Sequence, residues 1–154
     1  MAQQSLTFQG VKSVEQVNKI TTALMMLDGV DSAFRQRVEV DGLEDLYADV
    51  PPVVGGEGSA PDPHDYFDIA LGTCKAITVQ MYAKRKGWPL EGVTVTVQRD
   101  DSQERKGIYK LGVALTLHGI NDPVQRAKLE EISHRCPIQR LMTESTVEIE
   151  TRLV

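Results

Sequence analysis

The stretch "DPHDYFDIALGTCKAITVQMYAKRKGWPLEGVTVTV", Asp62 to Val97, decides the fold, because its apolar periodicity changes once from helical to extended. Asp62 can cap a helix, Pro63 suits the first helical position, and Asp65 lies three residues beyond the cap, near the positive helix start. The spacing predicts a helix to about Lys86. Phe67, Ala70, Leu71, Cys74, Ile77, Thr78 and Met81 fall on one face, and Ile69, Ala76 and Val79 make other faces apolar too. A helix apolar on several sides is expected to be a buried central element. Gly87 ends it, and Val93, Val95 and Val97 alternate with threonines as in a strand.

Downstream, the polar turn "RDDSQERKG" leads to "IYKLGVALTLHG", which alternates again, so the two strands are expected to pair as an antiparallel hairpin. Asn121, Asp122 and Pro123 repeat the cap-plus-proline signal, predicting a second helix to about Arg135, with Leu129, Ile132 and Cys136 on one stripe. Pro137 lacks a backbone donor, so the chain must break there and can restart as "PIQRLM". "TVEIETRLV" reads as a closing strand. Upstream, "ADVPPVVGGEGSAPDP" is a loop, long enough to be functional. "FRQRVEVDG" is a strand with Phe34, Gln36, Val38 and Val40 on one side, closing in a turn at Asp41-Gly42. "KSVEQVNKITTALMMLDGV" places Val14, Val17, Thr21, Leu24 and Met25 at helical spacing, with Ser13 as cap and Asp28-Gly29 as stop. It predicts a short helix in an N-terminal extension, residues 1–30, of a single domain spanning 1–154. Its "LDGV" ending resembles small heavy-metal-binding domains, but "FQGVKSV" lacks their cysteine pair.

At 154 residues the chain can bury one core without disulfide staples. Its 41% apolar and 25% charged residues fit a globular α+β domain rather than a disordered one. A net charge of -5, with positives scattered outside the short "KRKG" cluster, argues against nucleic acid as a partner. No apolar run approaches the about 18 residues of a membrane span, and the start lacks a signal pattern, so a cytoplasmic protein is expected. "GGEG" is followed by no P-loop lysine. His134 and Cys136 supply two ligands where a stable zinc site takes three or four, so neither a metal nor a cofactor is expected.

The two cysteines stand 62 positions apart, which fits neither a disulfide-rich framework nor CxxC zinc pairs. Cys74, mid-helix on an apolar face, occupies the ordinary habitat of an inert core thiol. Cys136 is placed at the N-terminal edge of the restarted helix, where free backbone N–H groups and the dipole favour a thiolate.

"GGEGSAPDPHDYFDIALGTCKAITVQMYAKRKGWPLEGVTVTV", "RCPIQRLM" and "VEIETRLV" resemble the OsmC-like family, which includes the organic hydroperoxide resistance proteins. The resemblance runs from about Phe34 to the C-terminus. It implies a fold of two long central helices against antiparallel sheets, in an intertwined homodimer with active sites at the subunit boundary. It also implies that Cys74 attacks an organic hydroperoxide, becoming a sulfenic acid, that Cys136 condenses with it to a disulfide, and that an external thiol reduces that bond. The family's activating glutamate falls on His64, or on Asp65 with a shift of one. Asp65 is therefore the candidate carboxylate beside its plainer role at a helix start. The family's arginine has no counterpart in "DVPPVVGG", leaving Arg35 or Arg37. The alternative is a non-catalytic member of that family holding a small thiol, persulfide or apolar ligand at the dimer interface. A third reading has both thiols merely packing in a dimer core.

Overall fold

A computed structural model describes residues 3–5, 20–24 and 34–153, the side chains from 34 onward. The chain divides into two compact units, Met1–Tyr66 and Phe67–Val154.

The first unit carries a four-stranded antiparallel meander of β1 (Gln3–Ser5), β2 (Ile20–Leu24), β3 (Gln36–Val40) and β4 (Leu46–Ala48), in chain order. In register, Thr22 of β2 and Leu46 of β4 flank Val38 of β3. The helix expected over the N-terminal extension is corrected here, since Ile20–Leu24 is a strand. Ile20, Thr21 and Thr22 are β-branched and favour a pleated surface once neighbours on both sides supply ladders. The rest of the expected helix lies outside the described residues. After β4, the proline-glycine loop makes a 3-10 turn at Pro52–Val54. Asp49 organises it: the buried carboxylate accepts from the Val50 amide at 2.8 Å, the Ser59 amide at 3.1 Å and the Ser59 hydroxyl at 2.8 Å. Gly56 is required there, because a Cβ at that position would stand 2.0 Å from the Val50 carbonyl oxygen.

Helix α1, Pro63–Lys86, starts as its caps predict and supplies the second unit's central element. Asp62 accepts from the Asp65 amide at 2.8 Å while the Asp65 carboxylate accepts from the Asp62 amide at 3.0 Å, a reciprocal capping arrangement. The hairpin follows as β5 (Gly92–Gln103) and β6 (Ile108–His118), antiparallel with Val95 opposite Leu115 and Val97 opposite Val113. Its strands run further into the expected turn than the polar sequence indicates, with an irregular register between Asp100 and Gln103. Gly72 lets α1 approach the valine face closely, since a Cβ there would lie 3.1 Å from Val97 Cγ2. Val79, Ala83, Ile120 and Leu129 form the core, with Tyr82, Trp88, Leu90, Val93 and Leu117 packed around it. Full burial of Val79, Ile120 and Leu129 stabilises by about 2 kcal/mol each.

Two further helices close the unit, α2 (Pro123–Ser133), capped by Asp122, and α3 (Pro137–Glu144). The break at Pro137 occurs where the sequence places it. Two expectations need correction. The buried face of α1 is Asp68, Leu71, Gly72, Lys75, Val79 and Ala83, whereas Phe67, Ile69, Ile77 and Met81 are exposed. With several apolar faces, periodicity alone could not choose among them; the small Gly72 and Ala83 permit the closer contact. The closing "TVEIETRLV" forms no strand among the described residues, and Val147 and Ile149 are exposed. Alternation makes a segment able to pair, but a strand exists only where a ladder satisfies its backbone.

Candidate functional site

The second unit brings the two thiols together. Cys74 lies on α1, half-buried, and Cys136 is the fully buried N-cap residue of α3; both are free. The Cys74 side chain lies near enough to Cys136 to act on its titration. Cys136 Sγ accepts from the Gln139 amide at 3.4 Å, the capping contact its position before Pro137 makes available.

That position does not turn Cys136 into the thiolate the helix start alone would favour. Burial above all, and then the neighbouring Cys74 side chain, push the Cys136 thiol up; the amides of Gln139 and Ile138 pull the other way and are outweighed. Cys136 is thus a protonated thiol beside a more accessible one. A nucleophile needs access and a resolving thiol needs proximity, and this pair divides the two properties.

Sequence reasoning missed Lys75. It follows Cys74 directly, lies in the ridge Leu71, Lys75, Val79, Ala83, and is 4% exposed. Its ammonium donates to the Ser133 carbonyl oxygen at 3.1 Å and to Gln139 Oε1, joining the end of α2 to the start of α3 around Cys136. Burial lowers its pKa, and negative charge on the thiol pair opposes the fall. The signal was a lone lysine in an otherwise apolar i, i+4 ridge.

Asp68, seven positions earlier, is the other buried charge on this face. It pairs with Arg99 Nε at 2.7 Å and accepts from the Tyr109 hydroxyl at 3.0 Å. Arg99 continues the inward face of Val93, Val95 and Val97, so strand alternation aims it at the helix. Burial, and then the bond to Asp68, push the Tyr109 phenol up to about 12.

The remaining candidates belong to the first unit. Asp65 is engaged in the helix cap. Arg35 lies over the Tyr47 ring, 4.5 Å from its centroid, and donates to Ser59 Oγ at 3.2 Å. Arg37 pairs with Glu39 and, at 3.7 Å, with Asp45. Among the described residues no group of three or more His, Cys, Asp or Glu side chains could hold a metal ion, and no helix is long and apolar enough to cross a membrane.

The family model described as OsmC-like protein matches residues 56–152, a range that contains both cysteines and Lys75. An organic hydroperoxide resistance protein OsmC from Legionella pneumophila is 25% identical, over 86% of this chain and 93% of that one, with a TM-score of 0.58. An OsmC-like protein from Mycoplasma pneumoniae superposes with a TM-score of 0.65 at 17% identity, over 85% and 90% of the two chains. The organic hydroperoxide resistance protein OhrB of Bacillus subtilis does so with a TM-score of 0.53 at 18% identity, over 85% and 93%. No curated protein matches the sequence. The mixed arrangement of helices and antiparallel strands is the one these structures share.

Proposed function

The chain belongs to the OsmC-like protein family, and from that premise we propose that it is a thiol-dependent peroxidase reducing organic hydroperoxides, with Cys74 as nucleophile and Cys136 as resolving thiol. The observation that carries the reading is the half-buried, free Cys74 beside the fully buried, free Cys136, whose thiol burial and the neighbouring Cys74 push up. The Cys74 thiolate attacks one peroxide oxygen, the O–O bond breaks, and an alcohol leaves once its alkoxide is protonated. The resulting sulfenic acid is attacked by the Cys136 sulfur, the S–O bond breaks, and the Cys136 proton leaves with the hydroxyl as water. An external thiol returns the disulfide to two thiols. Holding Cys136 protonated keeps it out of the first step and supplies the proton of the second.

Asp65 contributes by holding the start of α1, the role its exchange with Asp62 supports. The working form is a homodimer. Support comes from the exposed ridge Ile69, Ile77 and Met81, which runs along α1 beside Cys74 and would be shielded by a second copy. The match to the family crosses the junction of the two units, which supports treating the chain as a single domain. Two free thiols suit a reducing, cytoplasmic setting.

The test is consumption of cumene hydroperoxide by reduced protein with a dithiol as reductant, beside Cys74→Ser and a protein-free blank. Loss of peroxide in wild type alone is expected. Equal loss in all three would sink the reading.

A further inference from the structure

Lys75 has no part in the steps above, yet its charge is the one buried among the groups that hold the thiols. Both acceptors of its ammonium, the Ser133 carbonyl and the Gln139 side-chain amide, are neutral. The titratable groups that face it among the described residues are the two sulfurs, Cys74 from α1 and Cys136 from the break between α2 and α3. No carboxylate among them is paired with it. A buried ammonium without a carboxylate is costly, and neutral acceptors repay only part of that cost. Among the described residues, a thiolate of the pair is the source that can supply the missing negative charge.

We propose that Lys75 is the counter-cation of the thiolate in the Cys74–Cys136 pair and gives up its proton when that pair is oxidised to the disulfide. The hydroperoxide reading supplies the identity of the oxidant; the inference rests on it for that alone. With a thiolate on Cys74, a thiol on Cys136 and an ammonium on Lys75, the site is neutral in its reduced state. On oxidation, the thiolate and the thiol lose two electrons in forming the S–S bond, and the hydroperoxide gains them as its O–O bond breaks. The Lys75 proton goes to the departing alkoxide, giving the alcohol, and the Cys136 proton goes to the second oxygen, giving water. The products are a disulfide, a neutral amine, an alcohol and water, with no proton drawn from solvent. Reduction by a dithiol reverses the account: its two hydrogens restore the Cys136 thiol and the Lys75 ammonium, leaving the Cys74 thiolate.

Burial supplies the driving force. It lowers the Lys75 pKa, and negative charge on the thiol pair opposes the fall. Once the disulfide has removed that charge, the opposition is gone. A lysine serving only to tie α2 to α3 would keep one protonation state throughout.

Two measurements on the reduced, intact protein test this without hydroperoxide. The first is the pH dependence of Cys74 alkylation by iodoacetamide. Lys75→Met is expected to raise the midpoint by at least about one pH unit, lowering the rate at a fixed pH below it by about tenfold. An unchanged midpoint in a folded variant would overturn the proposal. The second needs no variant: nitrogen-15 NMR of the Lys75 Nζ titration in wild type, reduced and then oxidised with diamide. Its midpoint is expected to fall by a unit or more on oxidation, and equal midpoints in the two states would overturn the proposal. Absence of hydroperoxide turnover would sink the peroxidase reading and leave both measurements to decide the role of Lys75.

Discussion

Closing the Cys74–Cys136 disulfide should stabilise the protein measurably, and the size of the effect follows from the chain. The two cysteines are 62 positions apart, and a cross-link over a loop of that length removes unfolded-state entropy worth about 4 kcal/mol. Against this stands the capping contact of Cys136 Sγ with the Gln139 amide, which a sulfur drawn towards Cys74 would weaken. Losing a helix cap costs about 1 kcal/mol. The balance is about 3 kcal/mol, which for a chain of this size raises the melting temperature by roughly 6–12 °C. The assay is calorimetry of the reduced protein and of protein oxidised with one equivalent of cumene hydroperoxide, each with a free-thiol count and a non-reducing gel. The oxidised form should be a single chain with no free thiol and the higher transition. Two remaining thiols, or an intramolecular disulfide that melts at or below the reduced protein, would refute the reasoning: the first denies the pairing, the second denies that the fold accommodates it.

Replacing the resolving thiol, in Cys136→Ser, should leave one hydroperoxide turnover and trap Cys74 as a sulfenic acid, which reacts with dimedone and is counted by mass spectrometry; catalytic turnover with a dithiol should fall at least tenfold. Asp68→Asn removes the charge paired with Arg99, and because Arg99 is 26% exposed and can turn to water, the cost should be about 2 kcal/mol in chemical denaturation, less than for a fully buried pair. The same pair sets a pH limit. Tyr109 stays protonated in the folded chain up to about 12, whereas an unfolded tyrosine ionises near about 10. Its contribution is therefore intact below the unfolded value and is lost as pH rises through the folded one, which denaturation at alkaline pH with tyrosinate absorbance will follow; in Asp68→Asn that ionisation should move down. Asp65→Ala should cost about 1 kcal/mol of stability and leave the hydroperoxide rate per folded molecule within twofold, as measured by denaturation and peroxide assay together.

Local rules carried much of the fold. Asp62-Pro63 and Asp122-Pro123 mark helix starts through side chains that reach only two or three residues, so sequence neighbours are also structural partners. The alternation of Val93, Val95 and Val97 with threonines and the restart at Pro137 were legible for the same reason. What failed depended on distant partners. Ile20–Leu24 fits a helical period, yet β3 pairs with it 12 to 20 residues away in sequence and makes it a strand. The same limit applies to the site. The cysteines were found because Cys-Pro is a local signal and the resemblance supplied the other thiol. Lys75 was not, because its partners Ser133 and Gln139 are remote in sequence.

The two buried charges of α1 differ in a way that bears on which of them serves chemistry. Asp68 and Lys75 lie seven positions apart, two turns of helix, so they share one face. Asp68 has a permanent partner: Arg99 stays charged at every pH the fold survives, and Tyr109 completes the carboxylate's bonding. Nothing in that arrangement can switch under reducing or oxidising conditions. Lys75 is held by neutral groups and by sulfurs whose charge depends on their oxidation state. A lysine placed there for stability alone would be better replaced by a methionine of similar length, which packs in the ridge between Leu71 and Val79 without desolvating a charge. The ammonium therefore stands at the position where its proton is needed in one redox state and released in the other, while the carboxylate seven residues earlier anchors the same helix to the hairpin in both.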